Sequence, residues 1–248
     1  MKLRQVALVA ENLAEVRQQF FQLLGLANDF ADEGVGFFGL NNSVMAIGDT
    51  FLEIVSPKQD QTAAGRLLQR RHGDGGYMVL AQVEDIEPVS ERINGLGIRK
   101  VWETDREEVT AFHVHPKDLG AAIVSFDEMR PAEDWIWAGP GWQDRKAEHV
   151  RAISGVTIQC LDPEAIMRSW SQAFAKPARW EGAGFVMALD QGEIEFIEAS
   201  DGRGDGVAAV QFETGDLARI EAVAEEMSLI WQDSELMLCG TRLQFREG

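Results

Sequence analysis

The chain says nearly the same thing four times. An apolar strand, a short polar turn and an amphipathic helix start at Val6-Ala7-Leu8-Val9-Ala10-Glu11-Asn12-Leu13 and again at Val156-Thr157-Ile158-Gln159-Cys160-Leu161-Asp162-Pro163. Two further copies stand at corresponding places, Val79-Leu80-Ala81-Gln82-Val83-Glu84-Asp85-Ile86 and Val210-Gln211-Phe212-Glu213-Thr214-Gly215-Asp216-Leu217. Each copy of such a repeat must be one supersecondary unit. Repetition therefore constrains the fold more strongly than any single motif in the chain.

The helix signals are local. Asn12 caps a helix whose apolar stripe is Val16, Phe20, Leu23 and Leu24, with Glu15 completing a capping box and Gly25 as the stop. In the third copy Asp162 caps, Pro163 takes the first helical position, and Ile166, Trp170 and Phe174 form the stripe. Asp85 precedes Ile86, Val89, Ile93 and Leu96, closed by Gly95 and Gly97; Asp216 precedes Leu217, Ile220, Val223, Ala224 and Met227. Such one-sided helices cover one face of a sheet.

Strand-like runs follow each helix: 34–47 and 51–57, then 99–102, 111–115 and 121–126. Behind the third and fourth helices lie 184–189 and 193–199, then 229–233, 236–239 and 241–246. The unit is β-α-β-β, or β-α-β-β-β where an extra strand fits. Between the halves, residues 128–148 carry Trp135, Trp137 and Trp142 among Pro and Gly. Aromatic residues bury large areas, so this connector is expected to pack across a sheet, with any of the three tryptophans open to a binding role.

Composition bounds the function classes. At 248 residues the chain is one large domain or two medium ones. Its only cysteines, Cys160 and Cys239, sit in apolar runs without metal-site spacing and read as buried thiols of a reducing compartment. The N-terminus lacks a signal-peptide pattern, and no run of about 18 apolar residues spans a membrane; a cytoplasmic location is expected. A net charge of −18, dispersed along the chain, repels phosphate backbones and argues against nucleic-acid partners. Arg70-Arg71-His72 is the most basic short cluster and reads as a solvated loop.

Four such modules in two pairs resemble the vicinal oxygen chelate superfamily, which includes glyoxalase I, methylmalonyl-CoA epimerase, bleomycin-resistance proteins and extradiol dioxygenases. The segment Ala111-Phe112-His113-Val114-His115-Pro116-Lys117-Asp118-Leu119-Gly120-Ala121-Ala122-Ile123-Val124-Ser125-Phe126 is similar to the closing hairpin of epimerase-type members. Phe51-Leu52-Glu53-Ile54-Val55-Ser56-Pro57 looks like their Ile-Glu-Leu-x-x-Pro strand. The resemblance implies an α+β fold of four βαβββ-type modules, paired into two glyoxalase-like domains with cup-shaped mixed sheets. The domains would be 1–127 and 149–248, joined by 128–148, the second built of shorter modules.

Metal-dependent relatives place a divalent ion in the cup as a Lewis acid. Carried over strand by strand, their ligand positions fall at Gln5, Glu53, Met78 and Ser125, and in the second half at Gly155, Glu195, Ala209 and Gln244. A histidine and a carboxylate are replaced by a thioether and a hydroxyl, so the standard site is not expected, and iron, manganese or zinc would need a non-standard one. The alternation of strand faces points Glu53 into the cup with Phe51 and Val55. A carboxylate on an apolar wall needs a partner or a raised pKa, which is how general bases are made.

The expected reading is a cup for a small organic molecule, with Glu53 and His115 as catalytic candidates and Gln5, Met78, His113, Ser125, Glu195 and Gln244 as ligand-binding ones. A lyase or isomerase step with Glu53 moving the proton leads. A non-catalytic binder of bleomycin-resistance type competes, as does a ring-cleaving dioxygenase holding iron with His113, His115 and Glu53. A monomer or a homodimer is expected.

Overall fold

The computed structural model describes residues 1–248. The first module is β1 (Lys2–Val9), α1 (Leu13–Leu24), β2 (Leu40–Ile47) and β3 (Thr50–Pro57), followed by α2 (Ala63–Arg71). The second is β4 (Gly75–Gln82), α3 (Glu87–Gly95), β5 (Lys100–Asp105), β6 (Val109–Val114), the single turn α4 (Pro116–Leu119) and β7 (Ile123–Met129). The second half comprises β8 (Ala152–Cys160), α5 (Pro163–Phe174), β9 (Arg179–Glu181), β10 (Gly184–Ala188) and β11 (Glu193–Glu198), then β12 (Gly206–Thr214), α6 (Leu217–Glu226), β13 (Glu235–Leu238) and β14 (Thr241–Glu247).

The local signals act where expected. Asn12 accepts from the Glu15 amide and Gly25 ends α1 in the left-handed region, while Val16, Phe20, Leu23 and Leu24 are buried. Asp162 and Asp216 cap α5 and α6 by accepting from the Ala165 and Arg219 amides. Elsewhere the runs behave differently. Residues 33–38 form a 3-10 turn started by Asp32, which accepts from the Gly34 amide, so the strand begins only at Leu40. The 229–233 run forms no named strand, and Gln232 makes only an isolated bridge to Glu235. No helix is long and apolar enough to cross a membrane.

Each half forms one seven-stranded mixed sheet, ordered β2-β3-β1-β4-β7-β6-β5 and β13-β14-β12-β8-β11-β10-β9. Both are open. The central pair is antiparallel (β1 with β4, β8 with β12), and each central strand has a parallel neighbour on its other side. The outer faces and helices of both halves share one continuous apolar core of 48 buried residues, with Trp170 and Phe174 stacked 5.5 Å apart within it.

The seam between the halves is tight. A Cβ on Gly76 of β4 would lie 2.2 Å from the Val207 Cβ of β12. Arg71 is also part of it. Rather than lying in a solvated loop, it ends α2 at 2% exposure and donates to the Asp205 carbonyl at 2.8 Å. Arg203 reciprocates, donating to the carbonyls of Arg71 and Gly240 at 2.9 and 2.8 Å.

A core shared by both halves should unfold in one cooperative transition by urea denaturation, with no plateau between halves. Gly76→Ala forces β4 and β12 apart and should lower stability by about 1–3 kcal/mol, read as a shifted midpoint.

Candidate active site

The inner face of the first sheet is a cup. A second apolar cluster of 19 buried residues lines it, to which the connector contributes Trp135, Ala138 and Trp142 and α2 contributes Ala64, Leu67 and Leu68. Arg4 is buried there too, its guanidinium 5.6–5.7 Å from the Phe51, Trp135 and Trp142 rings. What the plug leaves open is a cavity of about 660 Å³ between the 3-10 turn, the β5–β6 hairpin and the strand floor.

Glu53 stands on that floor at 7% exposure. Gln5 Nε2 donates to its Oε2 at 2.9 Å, and Asn42 Nδ2 donates to its Oε1 at 2.6 Å. Both amides are held from behind. Trp135 Nε1 donates to Gln5 Oε1 at 2.7 Å, and the Asp32 amide donates to Asn42 Oδ1 at 2.9 Å. Burial pushes the Glu53 carboxyl up to about 7; the nearby Asp32 charge adds to that, while the two amide donors partly oppose it.

Three further titratable groups face or border the same space. His113 sits in an aromatic box, 4.4 Å from the Trp102 ring and stacked 5.8 Å from Phe38; burial holds its imidazole neutral, down to about 3. Tyr77 reaches the cup through a β-bulge: Met78 pairs with Ala7 and Gly76 with Leu8, leaving Tyr77 unpaired and turned inward. Burial, then the Glu53 charge, raises its phenol to about 12. Asp127 is buried at 1% exposure, accepts from Trp137 Nε1 at 2.9 Å, and is pushed up to about 7 by burial.

The structure brings Gln5, Glu53, Met78 and His113 together in the cavity wall. Ser125 lies on the same sheet face but is fully buried and donates to the Phe112 carbonyl at 3.5 Å, outside the lining. His115 does not share a face with His113. The strand ends at Val114, and His115 Nδ1 accepts from the Lys117 amide to start α4. The set His113, His115 and Glu53 is therefore not assembled, which removes the geometry of the iron-dioxygenase reading. Glu195 and Gln244 belong to the other half, where Thr157 donates to Glu195 and Gln244 donates to Glu235. Sequence reasoning missed Tyr77, Trp102 and Asp127. Asp127 had a signal, standing two residues beyond Ser125 on the same strand face; Tyr77 had none, because a bulge breaks alternation.

The donors do not fit the divalent ion of metal-dependent relatives. Each Glu53 oxygen already accepts an amide N–H and the Gln5 oxygen accepts the Trp135 indole, while Met78 and Ser125 offer only a thioether and a hydroxyl, weak ligands for such an ion. No group of three or more His, Cys, Asp or Glu side chains is arranged to hold a metal.

Paired β-α-β-β modules closing a cup define a protein of the vicinal oxygen chelate class. The sequence profile described as "Glyoxalase-like domain" matches residues 6–174, and the chain belongs to that family. A hypothetical protein from Staphylococcus aureus superimposes with a TM-score of 0.70 at 12% identity, covering 100% of this chain and 99% of that one. A triple mutant of 4-hydroxymandelate synthase from Streptomyces coelicolor gives 0.69 at 13% identity, covering 92% and 75%. Methylmalonyl-CoA epimerase from Mycobacterium tuberculosis gives 0.46 at 18% identity, over 52% of this chain and 87% of that one. At these identities the first two likenesses are of fold alone. No curated protein matches the chain in sequence.

The buried carboxyl sets a pH dependence. Between 4.5 and about 7 the unfolded chain has lost the Glu53 proton while the folded chain keeps it, so stability falls as pH rises through that window. Asp127 acts in the same direction. In Glu53→Gln the Glu53 part of this slope should vanish, so its melting temperature relative to wild type should climb with pH across the window. A difference that stays flat would mean Glu53 is not buried as a titrating acid.

Proposed function

We propose that the N-terminal cup carries out a proton transfer on a small organic molecule, a step of the isomerase or lyase type, with Glu53 as the group that takes and returns the proton. The observation that carries this reading is the Glu53 carboxyl, held in orientation by two amides in a ligand-sized cavity and poised near neutrality by burial. A base with a pKa near the working pH combines a useful ionised fraction with useful basicity. The neutral His113 ring adds a hydrogen-bonding group without adding charge.

Relatives that only bind a molecule supply the second reading, and the aromatic lining of the cavity favours it equally. The two differ in what Glu53 does. Incubating the protein in D2O with a panel of carbon acids (2-oxo acids, acyl thioesters and aryl ketones) and following loss of the acidic C–H by proton NMR tests the difference. Exchange should rise with pH through about 7 as Glu53 ionises, and Glu53→Gln should slow it by about 10²–10⁴-fold while leaving affinity intact. If no member of the panel exchanges, or if the variant exchanges as fast as wild type, proton transfer by Glu53 is wrong.

A further inference from the structure

The cavity is lined on one side by aromatic rings. Its wall on the β5–β6 side is a continuous run of rings: Phe38 lies 5.8 Å from both Trp102 and His113, and Trp102 lies 6.3 Å from Trp137. Rings so placed present flat faces and edges to an occupant, and offset or edge-on contacts with another ring gain beyond the area they bury. At the rim, Phe37 and Val101 line the mouth while 80% and 50% exposed, which extends the apolar surface toward solvent.

Tyr77, the chain's only tyrosine, lines the same cavity. Its bulge gives it an inward side chain next to Met78, and Met78 pairs with Ala7, which in turn pairs with Glu53. Two strand spacings, about 10 Å, separate the Glu53 and Tyr77 backbones. At the register position between them β1 offers only the Ala7 methyl. The two polar ends are thus near enough for the Glu53 charge to bear on the phenol, with no bulky β1 side chain at that register position. Tyr77 is 8% exposed, lines the cavity, and its O–H makes no hydrogen bond to the protein, so it can donate to an occupant.

We infer that the cup takes an aryl-bearing carbonyl compound with an acidic C–H, whose ring lies against the Phe38–Trp102–Trp137 wall and whose carbonyl oxygen receives the Tyr77 O–H. This rests on the proton-transfer reading of Glu53 and gives it a substrate class and a second catalytic residue. In the step, the C–H bond breaks and its proton passes to a Glu53 oxygen. The freed electron pair forms the C=C bond, and the carbonyl π pair moves onto oxygen. Tyr77 keeps its proton and donates to the developing oxyanion, where preorganised donors contribute most. Returning the proton from Glu53 to the same carbon, on either face, re-forms the carbonyl and restores the starting charges, so no co-reactant is needed.

The probe is 2-tetralone, a benzo-fused ketone, followed in D2O by proton NMR at the methylene between ring and carbonyl. Wild type should accelerate exchange at this position over its uncatalysed rate by a larger factor than it does for pyruvate or an acetyl thioester. Tyr77→Phe, which removes one oxygen, should slow exchange by about 10²–10³-fold with little change in apparent KM. A second measurement needs no turnover. With one tyrosine, the near-ultraviolet tyrosinate absorbance reports Tyr77 alone, and its midpoint should lie near 12 and fall in Glu53→Gln. Arg66 opposes that rise and Asp32, His113 and Asp127 also border the cavity, so the Glu53→Gln difference isolates the carboxylate.

The outcomes are separable. If Glu53 is needed for exchange but Tyr77→Phe exchanges like wild type, or only the non-aromatic probes react, the inference fails and the base reading survives. A wild type inert toward every probe removes both. A tyrosinate midpoint near 10 that ignores Glu53→Gln would place the phenol in water and overturn the inference by itself.

Discussion

The N-terminal half is organised around one buried carboxylate and the amides that hold it. A Glu side chain at 7% exposure would be expensive if bare. Gln5 and Asn42 each donate one N–H to it, and each amide is oriented by a donor of its own, the Trp135 indole and the Asp32 backbone. The chain of bonds crosses β1, β2, β3, the connector and the 3-10 turn. It explains why the Trp-rich segment lies against the cup: its indole is the far end of the network that fixes Glu53. The same donors hold both carboxylate oxygens in hydrogen bonds.

Irregularities in the strands do as much for the site as the strands themselves. Bulges in the β1–β4 pair set Arg4 beside Gln5 and Tyr77 beside Met78 on the inner face. The second half carries matching register shifts, at Ser154 and Ala208, with small side chains. The scaffold is thus repeated while its chemistry is not. Gly155 and Ala209 stand where Gln5 and Met78 stand in the first half, and Glu195 takes its hydrogen bond from Thr157 instead of an amide pair. One half holds a cavity with a buried carboxyl; the other lends a shared core and a seam closed by Arg71 and Arg203.

Much of this was written locally. Asn12, Asp162 and Asp216 each cap a helix through contacts three residues away, and the stripes Val16–Phe20–Leu23 and Trp170–Phe174 bury as their spacing requires. Four copies of that signal determine the paired-module fold, and strand alternation alone sends Glu53 inward. Tertiary structure decided the rest, because the remaining information is not periodic. His115 looks like a partner of His113 until the strand stops one residue early and its ring caps a turn. Arg71 looks solvated until three carbonyls from the other half close on it. Tyr77 enters the cup through a bulge that no pattern announces. Sequence by itself determined the scaffold and the carboxylate. Only long-range packing decided its partners and the shape of the space above it, since desolvation, bulges and cross-half contacts depend on residues up to about half the chain apart.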